Sequence, residues 1–280
     1  MKKIKLLSFL FLSILVTSCS SDSGSGDSTT NSSIMVNGSA VTITNAAAMR
    51  VENTLAIVAS ASNGSFMDLS FDKFGNLGEI RYFDAEFNSK QNFQHFKSNY
   101  FTFELISINE SQKKVKVSFS GNLYENNNDL SSPSITVSGS FDLPYTIQTS
   151  NIPGLGLSCK IAGNDWYETE FWDNGFWSVD RKFISDDENM IIMKFTDEEI
   201  QTGNYNFSTS SGNLIQLAKY DVATNTYIEY DTVGSLTISS NTEFSKLIRI
   251  VEGTFSFTAT NPTNPSDQIQ VTNGVFKTNF

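Results

Sequence analysis

The chain has 280 residues, with 19 Lys and Arg against 30 Asp and Glu, a net charge of −11, one histidine and two cysteines. A surface this acidic repels phosphate backbones, which excludes nucleic acid as a partner. One histidine supplies no metal-binding set, and two cysteines, one of them at the amino end, supply no disulfide within the body; no metal and no other cofactor is expected.

The chain opens with a leader. Lys2, Lys3 and Lys5 make a positive start, and residues 6–16 are apolar except for Ser8 and Ser13. Eleven residues are too few to cross a hydrocarbon core of about 30 Å as a helix, so residues 1–18 read as a signal peptide. Val16-Thr17-Ser18-Cys19 follows, and it resembles the lipobox of bacterial lipoproteins, in which small residues precede a cysteine whose thiol takes a diacylglyceryl group. Acyl chains on Cys19 contribute about 0.8 kcal/mol per buried methylene and hold the protein to a membrane. Losing the three leader lysines takes the net charge from −11 to −14.

Residues 19–33 are the lipidated cysteine and a tether. Residues 20–33 contain only Ser, Asp, Gly, Thr and Asn, which cannot bury enough apolar surface to offset the entropy of ordering. Such a segment spans about 20 Å on average and roughly 48 Å when taut.

The body reads as all-β: two tandem antiparallel domains, each a sandwich or barrel, with at most one or two short helices. Ser134-Ile135-Thr136-Val137-Ser138, Thr254-Phe255-Ser256-Phe257-Thr258 and Ile269-Gln270-Val271-Thr272 alternate apolar and small polar residues, the period of a half-buried strand. Asp72 to Asn76, Asp173-Asn174-Gly175 and Ser211-Gly212-Asn213 read as hairpin turns, because Gly and Asn tolerate positive φ. Residues 89–97 are the best helix candidate, with Ser89 as N-cap and Phe93 and Phe96 on one side. Pro153, Gly154 and Gly156 interrupt the alternation, placing the domains at 34–150 and 157–280.

An internal repeat supports that division. Val36-Asn37-Gly38 matches Ile161-Ala162-Gly163, residues 103–108 match 234–239, 115–121 match 248–253, and 135–141 match 269–276. The glycine offsets run from 125 (Gly38 to Gly163) to 132 (Gly121 to Gly253) to 135 (Gly139 to Gly274), a one-way drift of the kind loop insertions produce in a duplicated domain.

The second half opens with Ile161-Ala162-Gly163-Asn164-Asp165-Trp166, carries Thr202-Gly203-Asn204-Tyr205 in its middle, and closes with Gly253-Thr254-Phe255-Ser256-Phe257 and Thr272-Asn273-Gly274-Val275-Phe276. That succession resembles the uncharacterised lipoprotein domains common in Bacteroidota, well over residues 157–280 and weakly over 34–147, where Val41 stands at the Trp position. The resemblance implies a β domain at the periplasmic or cell-surface side of the outer membrane, and no catalytic residue. Ser20 rather than Asp after Cys19 fits release from the inner membrane, and Asp22 and Asp27 are similar to surface-export signals of these bacteria.

Chemistry-bearing residues are few. His95 has no second histidine nearby and reads as a solvated or core-edge side chain, and Cys159 as a small core residue; no Gly-x-Ser-x-Gly elbow occurs. Glu168 and Glu170, two apart, would face one side of a strand as paired glycosidase carboxylates do, or simply line a solvated face. Asp186-Asp187-Glu188 and Asp197-Glu198-Glu199 match no calcium loop and read as solvated loops. All three tryptophans lie within twelve residues. Trp166 is assigned to the core, while Trp172 and Trp177 flank a turn where their rings, with Asp173 and Asn174, would make a sugar-stacking platform or cap the sandwich.

These readings give a membrane-anchored, non-catalytic binding module for glycan. The alternative is a structural or accessory component of an envelope protein complex, with a carboxylate-based glycoside hydrolase a distant third. Cys19→Ser is expected to abolish lipid incorporation and membrane retention and to leave the fold intact; labelled palmitate entering the mutant at the wild-type level would contradict this.

Overall fold

The computed structural model describes residues 32–173, 180–195, 200–246 and 248–279, with backbone alone at Trp172 and Asp173. Its first half begins with the hairpin β1 (Ser33–Val36) and β2 (Ser39–Val41). An up-and-down meander follows: β3 (Ile43–Val51), β4 (Thr54–Ala61), β5 (Phe66–Asp72), β6 (Leu77–Phe83) and β7 (Ser89–Gln91). The four-residue helix α1 (Lys97–Tyr100) leads into β8 (Phe101–Asn109), β9 (Lys114–Tyr124) and β10 (Ser134–Gln148). β10 pairs with β9, and with β3 in parallel through residues 145–148, while β9 meets β7 at Tyr124 and Gln91. The sheet therefore closes on itself like a barrel around Leu55, Leu69, Phe71, Val117 and Phe141, and the parallel β3–β10 pair departs from the antiparallel expectation.

The second half repeats the plan. A hairpin, β11 (Gly156–Ile161) and β12 (Asn164–Tyr167), precedes the meander β13 (Glu170–Asp173), β14 (Asp180–Ile184), β15 (Asn189–Lys194), β17 (Leu214–Asp221) and β18 (Thr226–Glu229), with β16 (Gly203–Ser208) intervening. Three long strands close it: β19 (Asp231–Ser245), β20 (Ile248–Asn261) and β21 (Asn264–Asn279). The order β12-β11-β21-β20-β19 matches β2-β1-β10-β9-β8 strand for strand, and β16 extends the second sheet to six. This sheet packs on the five-stranded meander as a sandwich, with Trp166, Leu236, Phe255 and Phe276 facing Phe183, Ile191, Met193 and Leu217.

Two local devices recur. Both opening hairpins turn through two residues of positive φ, Asn37-Gly38 (50° and 78°) and Ala162-Gly163 (50° and 85°), whose twist suits a two-residue hairpin. Gly139 lies opposite Phe119, and Gly274 opposite Phe255, each ring covering the space a Cβ would need. These pairings put Gly253, which faces Phe276, on the rung that Val117 occupies opposite Phe141; the sequence match of Gly121 to Gly253 is four residues out of step.

Three expectations change. Of residues 89–97 only Lys97 is helical, as the first residue of α1, because residues 89–91 pair with β6, Ser89 opposite Phe83, and prolong the meander. Buried Asn92 holds the sheet there, its Oδ1 accepting from Ile80 N (2.8 Å) and its own N–H donating to Ile80 O (3.1 Å). Phe96, at φ 40°, then breaks the chain before α1. Ser211-Gly212-Asn213 joins β16 to β17 in different sheets, so it is a crossing between layers and not a hairpin. Asp186 and Asp187 are not solvated, because they sit where the halves meet.

That seam covers the side of the meander facing away from the sandwich core. Ile184, Met190, Ile192 and Ala218 are buried there, and Tyr227 links them to Phe93, Tyr124 and Tyr220, drawn from both halves. Asp186 ties the halves together: its Oδ2 accepts from Leu77 N (3.2 Å) and its carbonyl from Ser98 N (2.8 Å). Asp187 accepts from Trp166 Nε1 (3.0 Å) and Asn189 N (3.1 Å). Phe74 stacks on Tyr167 at 3.6 Å. Burial pushes the Asp186 carboxyl up to about 6 and that of Glu168, whose Oε2 is buried without a hydrogen-bond partner, up to about 8.

Both carboxyls hold their protons more tightly folded than unfolded, where they titrate near 3.8 and 4.5. Their contribution to stability is therefore lost as pH rises, through about 6 for Asp186 and about 8 for Glu168. The melting temperature should be higher at pH 5 than at pH 8.5, and Glu168→Gln should flatten the decline above pH 6; an unchanged slope in thermal scans of that variant would contradict the assignment. Gly274→Ala, which drives a methyl into the Phe255 ring, should cost about 1–3 kcal/mol in a denaturant titration.

Candidate functional site

The meander of the first half turns one face to its core and the other outward. Met67, Leu69 and Phe71 on β5 and Leu77 and Ile80 on β6 point inward, so alternation sends Phe66, Asp68 and Ser70, and Glu79, Arg81 and Phe83, to the opposite face. Register aligns them in rows across β4, β5, β6 and β7. One row is Ser60, Phe66, Phe83 and Ser89; the next is Val58, Asp68, Arg81 and Gln91; the third is Ala56, Ser70 and Glu79.

The first row is an aromatic shelf. Phe66 and Phe83 stack face to face, with centroids 4.2 Å apart and planes 8° from parallel. Such a pair stabilises by about 0.5–1.5 kcal/mol beyond its area, which favours this arrangement of the two rings. The Arg81 guanidinium lies over Phe83, 5.6 Å from its centroid.

The second row fixes the charge. Arg81 grips Asp68 bidentately, Nε to Oδ1 at 2.9 Å and Nη2 to Oδ2 at 2.5 Å, and approaches Glu79 at 3.6 Å. Burial alone would pull the guanidinium down; the hydrogen bond to Asp68 and the charges of Glu79, Asp68 and Glu170 outweigh it and hold it above the ordinary arginine value. Glu170, at the head of β13, carries this charged row to the seam, where its Oε2 lies 3.4 Å from Nζ of Lys97, a side chain only 1% exposed. Breaking a buried pair of this kind strands a charge.

The residues singled out from the sequence fall in several places. Cys19, Asn174 and Trp177 lie outside the described residues, as do Asp197, Glu198, Glu199 and the side chains of Trp172 and Asp173. The backbone of Trp172 and Asp173 is in β13, an edge of the five-stranded sheet, where Asp173 pairs with Arg181 of β14. Trp166 and Cys159 are in the core, and burial pushes the Cys159 thiol up to about 12. Glu168 and Glu170 do not share a strand, because Glu168 sits where the chain crosses from β12 in one sheet to β13 in the other.

His95 precedes α1 and stacks on Tyr220, with centroids 5.1 Å apart. Its Nε2 lies 3.2 Å from Asn128 Oδ1. Burial lowers its pKa, and the hydrogen bond to Asn128 does not offset that loss. Among the described residues no three His, Cys, Asp or Glu side chains gather to hold a metal ion, and no helix is long and apolar enough to cross a membrane.

The outer row escaped the sequence reading because Phe66, Arg81 and Phe83 look like ordinary strand residues; their alternation with the core positions was the available signal. Compared with known proteins, the chain is similar over residues 184–278 to a family described as a domain of unknown function, DUF6252. No curated protein and no solved structure matches it.

Proposed function

We propose that the protein is a Bacteroidota-type outer-membrane lipoprotein, anchored through Cys19 on the tether of residues 19–33, whose folded body is a non-catalytic module that binds glycan. The observation that carries this reading is the Phe66–Phe83 stack beside the Asp68–Arg81 pair on an outward sheet face. Sugar sites combine an apolar plane with a few fixed polar groups, and here the plane is bordered by the Ser60 and Ser89 positions and the Arg81 row. On sequence grounds Trp172, Asp173, Asn174 and Trp177 add a second stacking surface.

Catalysis by the two glutamates finds little support, since Glu170 is paired with Lys97 and Glu168 lies apart at the crossing between sheets. An accessory role would call for a broad apolar patch. On the six-stranded sheet Val233 and Val275, both over half exposed, lie on different rungs and do not make one together.

In affinity electrophoresis through a panel of polysaccharides the wild type should be retarded. Phe83→Ala should lose most of that retention, as should Trp172→Ala with Trp177→Ala, while each melting temperature falls by only a few degrees. Full retention by both variants would refute the proposed site.

A further inference from the structure

The loop beyond β6 holds an anomaly. Asp84 Oδ1 accepts from the amides of Glu86 and Asn88 (both 2.9 Å), Oδ2 accepts from Asn88 Nδ2 (2.9 Å), and Phe87 N–H donates to Asp84 O (3.0 Å). The β5–β6 loop is built the same way. Asp72 Oδ1 accepts from Phe74 N and Asn76 N, Oδ2 accepts from Asn76 Nδ2, and Gly75 N–H donates to Asp72 O. The fourth residue of each loop is left-handed: Gly75 at φ 101° in one, Phe87 at φ 64° in the other.

A glycine serves that position without strain, and a bulky residue there is an outlier. Phe87 nevertheless holds it, and the strain is not offset by burial, because the side chain is 73% exposed. Its ring lies 6.1 Å from that of Phe66, at 62°, forming an upright wall at the end of the Phe66–Phe83 shelf. Strain kept where it exposes an apolar ring beside a preformed aromatic plane points to contact with a ligand.

Charge narrows the ligand. Asp84 and Glu86 flank the wall in sequence, and the whole chain is acidic. Arg81 is committed to Asp68, and Lys90, on the same hairpin, reaches Glu125 at 3.5 Å. A uronate or sulfated sugar would meet repulsion here and find these cations engaged. We infer that Phe87 is the ligand-contacting residue that completes the shelf, and that the ring it receives belongs to an uncharged glycan, an inference that rests on the glycan-binding reading above.

The experiment is affinity electrophoresis of the full mature chain and its Phe87→Gly and Phe87→Tyr variants. The probes are neutral polysaccharides (xylan, β-glucan, mannan) and acidic ones (polygalacturonate, alginate). The expected result is retention by at least one neutral polymer, at least tenfold weaker for Phe87→Gly and kept by Phe87→Tyr. The melting temperature of Phe87→Gly should be unchanged or raised, because glycine relieves the left-handed strain. Retention of Phe87→Gly equal to the wild type overturns the role of Phe87 while leaving the glycan reading in place. Retention by acidic polymers alone overturns the uncharged ligand, and a wild type retained by none of the five overturns the glycan reading itself.

Discussion

The rest of the structure depends on a strand with no wet face. In β15, Met190, Ile191, Ile192 and Met193 are all buried, so the five-stranded sheet that holds it needs apolar cover on both sides. The six-stranded sheet covers one side, and the other is covered where the second half meets the first, around Phe93 and Tyr227. A β-sandwich of the second half alone would leave Ile184, Met190 and Ile192 open to water. The joint between the halves is therefore part of the hydrophobic core.

Closing that joint has an electrostatic cost that shapes the surroundings. Backbone groups at Leu77 and Ser98 leave water and are met by Asp186, which ties an acidic residue into a poorly solvated place. Lys97, almost wholly buried, meets Glu170, while Glu168 has a buried oxygen without a partner and a strongly raised pKa. Carboxyls displaced this far are frequent in active sites, but a structural seam displaces them by the same desolvation. Here desolvation is the first cause at Asp186, Asp187 and Glu168 alike, and each lies where chain crosses or joins.

What could be read from the sequence was what is local. Alternation located β10, β20 and β21, and Asp72 to Asn76 was legible as the turn between β5 and β6, because strand period and turn conformation are set within a few residues. The errors came from longer range. Residues 89–97 have helical spacing, but a partner strand and the Asn92 side chain claimed them. Asp186 and Asp187 looked like solvent residues, since nothing beside them announces that Leu77, 109 positions away, needs an acceptor. The unbroken apolar run of β15 was a legible sign of two-sided burial, and with it a sign that the halves must touch. The shelf was illegible as a site because the neighbour of Phe66 is Phe83 across a strand pair, a relation that register alone creates.

On the proposed reading, recognition by such a face has a physical logic. Phe66 and Phe83 are held by each other and by the sheet, and Arg81 by two bonds to Asp68, so a ligand need not order them, which lowers the entropic cost of binding. A shelf of a few rings still gives modest affinity for one sugar. On the proposed reading the remainder comes from geometry: a polymer offers many equivalent rings, and modules held on tethers of about 20 Å mean reach crowd at one surface. Under those conditions weak, reversible contacts add without new interactions. On that reading a rigid, half-buried face serves such a protein better than a deep pocket, which admits chain ends and excludes the middle of a polymer.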